Sequence, residues 1–184
     1  MRVALSACLL LFICENAGAQ PSGARQASVA SSVGVVWNVL EKSFVSLADA
    51  MPAEKWSFAP TQGEFKGVRS FGEQVKHVAC ANYAFFAELE HKTPPAGCDT
   101  GGPNAATTKA PLMQYLRDSF TYADAALATL NERNMLDAVE GPYFTPNTKL
   151  GIATAAVWHA SDHYGQLVEY LRMNGVIPPS SRPR

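Results

Sequence analysis

Four stretches of this chain space their apolar residues at intervals of three and four, and none alternates them at the period of two that a half-buried strand requires. The first runs from about Ser32 through Val33, Val36, Trp37, Leu40, Phe44, Leu47, Ala48 and Met51, and Pro52 stops it. The second opens on Ser70-Phe71-Gly72-Glu73, which has the spacing of a capping box, and carries Phe71, Val75, Val78, Phe85 and Leu89 before Pro94-Pro95. The third has Thr107 or Thr108 as its cap and Pro111 in its first turn, with Leu112, Leu116, Ala123, Leu127 and Leu130 on its buried side. The fourth starts near Asn147 or Thr148 and stops at Asn174-Gly175, with Pro178-Pro179 beyond. Such a pattern predicts an all-α fold, a four-helix bundle over 32–178 with long loops and a short tail at 179–184. The connection between Pro52 and Ser70 holds Trp56, Phe58, Pro60, Gly63 and Gly67, too apolar for a free linker, and is expected to pack across one end of the bundle.

The N-terminus reads differently. Arg2, the apolar run Val3 to Ile13 and the small residues Ala17-Gly18-Ala19 have the order of a secretory signal, cleaved after Ala19. A retained anchor would need about 20 apolar residues, more than this run supplies. Residues 20–31 are small and polar and read as a flexible leader. The expected location is therefore periplasmic or secreted. Loss of the signal removes Arg2 and Glu15, so the net charge stays at −1. A chain so nearly neutral has no electrostatic footprint for nucleic acid or an anionic membrane surface, and its mature part contains no membrane span. Cys8 and Cys14 leave with the signal, so the mature chain keeps Cys80 and Cys98. In an oxidising compartment these either form a disulfide that ties the loop after the second helix back to that helix, or remain two separate thiols.

Chemistry concentrates in the fourth helix, at Trp158-His159-Ala160-Ser161-Asp162-His163-Tyr164-Gly165-Gln166-Leu167. Two histidines four residues apart on a helix share a face, with Cβ atoms about 5–6 Å apart. His159 and His163 continue the stripe of Ile152, Ala156, Gln166 and Tyr170, so both imidazoles are expected to point inward. One reading is a core pair satisfied by its neighbours. The other is a metal site, for which a third ligand is needed, and His77 at the edge of the second helix's apolar face is the candidate.

His77, then H-A-S-D-H-Y-G-Q-L followed by Tyr170-Leu171-Arg172, Gly175 and Pro178, resembles the DinB/YfiT family over nearly all of the mature chain, with Trp56-Ser57-Phe58-Ala59-Pro60-Thr61 as a less specific second match. The resemblance implies a four-helix bundle in which His77, His159 and His163 bind one divalent metal. Three imidazoles suit zinc or nickel first, with ferrous iron and copper as the other candidates. Relatives with known chemistry are thiol-dependent transferases or isomerases, and relatives commonly homodimerise. Three neutral ligands leave the ion its full charge, which lowers the pKa of a bound water from about 15.7 toward 7 or deprotonates a bound thiol. Hydrolysis and thiol transfer of an unknown small-molecule substrate are both open.

Rival motifs fit less well. H-E-x-x-H is absent because Ala160 follows His159. The inverted H-x-x-E-H form has Asp162 where Glu is required, and Glu169 as its third ligand would lie off the histidine face. Asp162 is either a solvated charge or a group orienting an imidazole, and His91, between Glu90 and Lys92, reads as surface. Gln166 and Tyr170 either line the pocket or simply pack. The alternative to an enzyme is a non-catalytic module that stores metal or docks a partner through Tyr143 and Phe144.

Overall fold

The structure, a computed structural model, describes residues 27–95, 97–98, 108–142 and 147–183. The expected signal at 1–19, most of the leader, Thr107 and the aromatic pair Tyr143 and Phe144 lie outside the described residues. The bundle consists of α1 (Val29–Ala50), α2 (Phe71–Leu89), α3 (Lys109–Leu127) and α4 (Lys149–Met173). No helix among the described residues is long and apolar enough to cross a membrane.

Each helix forms where its ends are satisfied. Ser70 Oγ accepts from the Glu73 amide at 3.4 Å while Glu73 Oε2 accepts from the Ser70 amide at 2.7 Å, the capping box expected at the start of α2. Thr148 caps α4 through the Gly151 amide, at 3.1 Å. Thr108 stands at the N-cap of α3 but its hydroxyl makes no capping bond. α1 begins earlier than its apolar pattern predicts, because Ser28 and Ser31 form a capping box and Val29, half exposed, buries too little to register in the period. The leader expected through Ser31 therefore ends in helix. Val36, counted on the buried stripe, is 53% exposed, since the stripe of α1 narrows to Trp37, Leu40, Phe44, Leu47 and Ala48.

The C-termini of α2 and α4 close alike. His91 and Lys92 donate their amides to Glu88 and Ala87 carbonyls at 3.0 and 2.7 Å, and Gly175 and Val176 donate to Arg172 and Leu171 carbonyls, both at 2.9 Å. Both are Schellman closures, with the residue after the cap in the left-handed region, at φ 72° for Gly175 and 56° for His91. Glycine takes that conformation freely, whereas a side chain there costs about 1–2 kcal/mol.

α2 packs against α3 and α4, and α1 packs against the same two, so α1 and α2 stand across the diagonal. The connection from α1 to α2 must cross the bundle end, as expected, and it does so as part of the core. Trp56, buried, donates its indole N–H to the Met51 carbonyl at 3.0 Å and sets its ring edge-on to Phe71 at 5.5 Å. The Gly72 amide donates to the Trp56 carbonyl at 2.8 Å, and a Cβ on Gly72 would lie 3.2 Å from both that oxygen and the indole. Two lysines cap open helix ends: Lys55 Nζ donates to the Asn174 carbonyl at 2.8 Å, and Lys109 Nζ donates to the Asp49 and Met51 carbonyls at 2.6 and 3.0 Å.

The core centres on Trp37, against Phe86 at 5.1 Å and Phe120 at 5.2 Å. Cys80 and Cys98 form a disulfide, with Cα atoms 5.1 Å apart across 18 residues of chain. Short elements escaped the sequence pattern: single 3-10 turns at Ala53–Lys55 and Pro179–Ser181, and Ala138–Val139 with Asn147–Thr148 paired as a short antiparallel ladder before α4. Two-residue strands are too short to show a period.

Candidate metal centre

The seam between α2 and α4 holds His77, His159 and His163, and one ring nitrogen from each lies within 4.8 Å of the others. α2 contributes His77 from its second turn. α4 contributes the other two from successive turns of one face. Ring centroids stand 5.0 Å apart for His77 and His159, 4.9 Å for His77 and His163, and 4.6 Å for His159 and His163. His163 is buried, while His77 and His159 are half-buried. Phe85, two turns beyond His77 on α2, sets its ring edge-on to His159 at 5.4 Å.

Burial is the first cause of the charge state here. It pushes the His77 imidazole down to about 4, helped by repulsion from the Arg69 guanidinium and from His163. It pushes His159 down to about 3, with His163, His77 and Arg69 adding to the effect. His163 is also lowered by burial, against a counter-pull from Asp162 and with Arg69 adding repulsion. At neutral pH all three rings are neutral, the form that ligates a metal.

His163 has its tautomer fixed. Among the described residues its Nδ1 has one partner, the side-chain oxygen of Gln74 at 2.8 Å; with that oxygen accepting, Nδ1 carries the proton and Nε2 keeps its lone pair. The Nε2 atoms of His77 and His159 are 3.1 Å apart. Two nitrogens on one tetrahedral ion, each at about 2.0–2.1 Å from it, are separated by about 3.3 Å. The same contact also suits a single N–H···N hydrogen bond, so the pair alone is ambiguous. Three neutral imidazoles in one place, with the Nε2 atoms of His77 and His159 turned toward each other, are a donor set that fits a divalent cation.

The remaining expectations separate cleanly. Gln166 is exposed and donates to Asp162 Oδ2 at 2.8 Å, so it leaves the inward stripe and takes Asp162 with it to the surface. Asp162 is the solvated charge of the two readings. Glu169, exposed, accepts from Arg172 Nη1 at 2.6 Å and is no ligand. His91 is exposed. Gln166 and Tyr170 do line a cavity of about 480 Å³ beside His163, shared with Gln74 and Arg69. Gln74 and Arg69 went unnoticed in the sequence. Gln74 lies three residues before His77, on the same helix face, and that spacing was the available signal. Arg69 precedes the N-cap and offered none.

Solved structures similar to this chain share its fold. A DinB-like protein from Bacillus cereus superposes with a TM-score of 0.66 at 17% identity, over 81% of this chain and 95% of its own. A DinB-like protein from Bacillus subtilis gives 0.63 at 19% identity, over 83% and 99%. A conserved protein from Enterococcus faecalis gives 0.64 at 16% identity, over 80% and 97%. No curated protein matches. The sequence model described as DinB superfamily matches residues 38–167, which takes in α2 and all three histidines. On that match, spanning most of its length, the chain belongs to the DinB superfamily.

Proposed function

We propose that this chain is an exported metalloprotein in which His77, His159 and His163 hold one divalent ion, zinc or nickel ahead of iron and copper, and that the site acts on a small molecule by hydrolysis or thiol transfer. The observation that carries the reading is the convergence of three neutral imidazoles from two helices. A bound ion supplies Lewis acidity to a water or thiol at its open position. The chain's own residues do the rest. Gln74 holds the His163 ring by its Nδ1 proton and presents the other nitrogen, and Phe85 packs on His159 and limits its rotation. The cavity beside His163 gives a substrate its place next to the ligands.

Export is supported by the disulfide, which suits an oxidising compartment, and by the basic, apolar and small order of the first 19 residues. N-terminal sequencing of the native protein is expected to begin at Gln20. Homodimerisation is the assembly that the family resemblance leaves open, and light scattering reads it. The central test is elemental analysis of protein purified without an affinity tag. About one ion per chain is expected by the three-ligand count, and His159→Ala is expected to lose it. Equal metal content in the two proteins defeats the assignment. Thiol conjugates and simple esters are then the substrates to screen.

A further inference from the structure

The cavity beside His163 is walled by the segment preceding α2 and by the C-terminal half of α4. Its apolar surface comes from Phe65, Val68, Tyr170 and Met173, of which Val68 and Met173 are 38% and 53% exposed. Its charge comes from Arg69. The acid sharing the cavity, Glu169, is engaged by Arg172 at 2.6 Å. Glu73, the nearest acid in sequence, accepts from the Ser70 amide at 2.7 Å and attracts the exposed Arg69 through space without forming an ion pair with it. Among the described residues Arg69 has no ion-pair partner, while its own carbonyl accepts from Tyr170 Oη at 3.1 Å, which fixes the backbone that carries it.

An uncommitted guanidinium beside an apolar wall is the arrangement that recognises an anion attached to an apolar body, because the planar fork pairs a carboxylate at two points. We propose that this cavity binds small-molecule carboxylates, with the carboxylate on Arg69 and the apolar portion against Phe65, Val68 and Met173. As the substrate class of the proposed metal site the inference rests on that reading, yet its test separates the two.

Phenylacetate and phenylacetamide, alike in shape and different in charge, are titrated calorimetrically into the metal-loaded full chain. Phenylacetate is expected to bind at least tenfold more tightly. Arg69→Gln is expected to bring the two ligands within twofold of each other, and Arg69→Lys to retain part of the preference. The same titrations on His159→Ala remove the ion. A preference that persists there and still depends on Arg69 supports the carboxylate site, even if the metal assignment fails. Wild type that carries its ion but shows no preference, or an undiminished preference in Arg69→Gln, overturns the proposal and leaves the metal reading standing. A preference that vanishes with the ion and ignores Arg69 assigns the anion to the ion, and also overturns it.

Discussion

α2 buries polar side chains on both of its seams, and the two seams treat them differently. Toward α3, Asn82 Nδ2 donates to Ser119 Oγ at 3.2 Å, and Ser119 donates on to the Leu116 carbonyl at 2.7 Å. That line of donors ends on a backbone acceptor, although Asn82 Oδ1 stays unpaired among the described residues. Nearby, Tyr83 stacks between Tyr115 and Tyr122 at 5.4 and 5.3 Å, and the disulfide fastens Cys98 to Cys80. Toward α4, the Gln74 to His163 hydrogen bond runs the other way. It uses the one proton His163 carries when neutral and turns a lone pair toward two further imidazoles. A donor line that terminates within the protein stabilises a seam. One that leaves acceptor nitrogens facing each other prepares it for a cation.

The comparison breaks most sharply under metal titration. With zinc at about a thousand times its Kd, linkage predicts a gain of about 4 kcal/mol in urea unfolding for the wild type. His77→Ala is expected to gain nothing. Ser119→Ala should keep the whole gain, while its baseline falls by about 1–3 kcal/mol because Asn82 loses its acceptor. Loss of the zinc response in the Ser119 variant as well would erase the distinction between the seams.

The disulfide is the next largest effect. Its loop of 18 residues predicts about 3 kcal/mol lost in the Cys80→Ser, Cys98→Ser double variant, read from urea midpoints under non-reducing conditions. Zinc binding should survive, since neither sulfur touches the histidine cluster.

pH sharpens the α4 side of the comparison. In metal-stripped protein, burial lowers His77 and His159 to about 4 and about 3 in the folded state, against the ordinary imidazole value of 6.5 in the unfolded chain. The unfolded chain therefore binds more protons between those limits, and folding stability falls as pH drops from 6.5 toward about 4. Melting temperatures of the stripped protein are expected to decline over that window, and less steeply in His159→Ala.

The smallest effect concerns the end of α2. His91→Gly removes the left-handed penalty that Gly175 never incurs at the end of α4, and is expected to stabilise the protein by about 1 kcal/mol in the same urea assay. A neutral or destabilising result would mean that the His91 side chain makes compensating contacts.

Much of this fold was legible from spacing alone. The capping box at Ser70 and Glu73, the stop at Asn174-Gly175 and the stripe of α2 are local signals, and local signals survive in sequence. The histidine triplet was legible because two members share a helix face and the third stands at the edge of the second helix's apolar face, a choice the family pattern then strengthened. What stayed hidden depends on neighbours. Periodicity identifies a buried side but does not say which helix covers it, so Val36 was misplaced and the diagonal of α1 and α2 was invisible. Gln74 was missed because a glutamine on a helix ordinarily faces water, and only the presence of α4 turns it into a partner for His163.

The contact between His77 and His159 joins residues 82 positions apart, the second of them in the fourth helix of the bundle. No fragment that lacks that helix can assemble the triplet, so the proposed ion capture has to wait for it. On the proposed metal reading, the compartment in which the fourth helix docks is the one whose free-metal pool selects the ion.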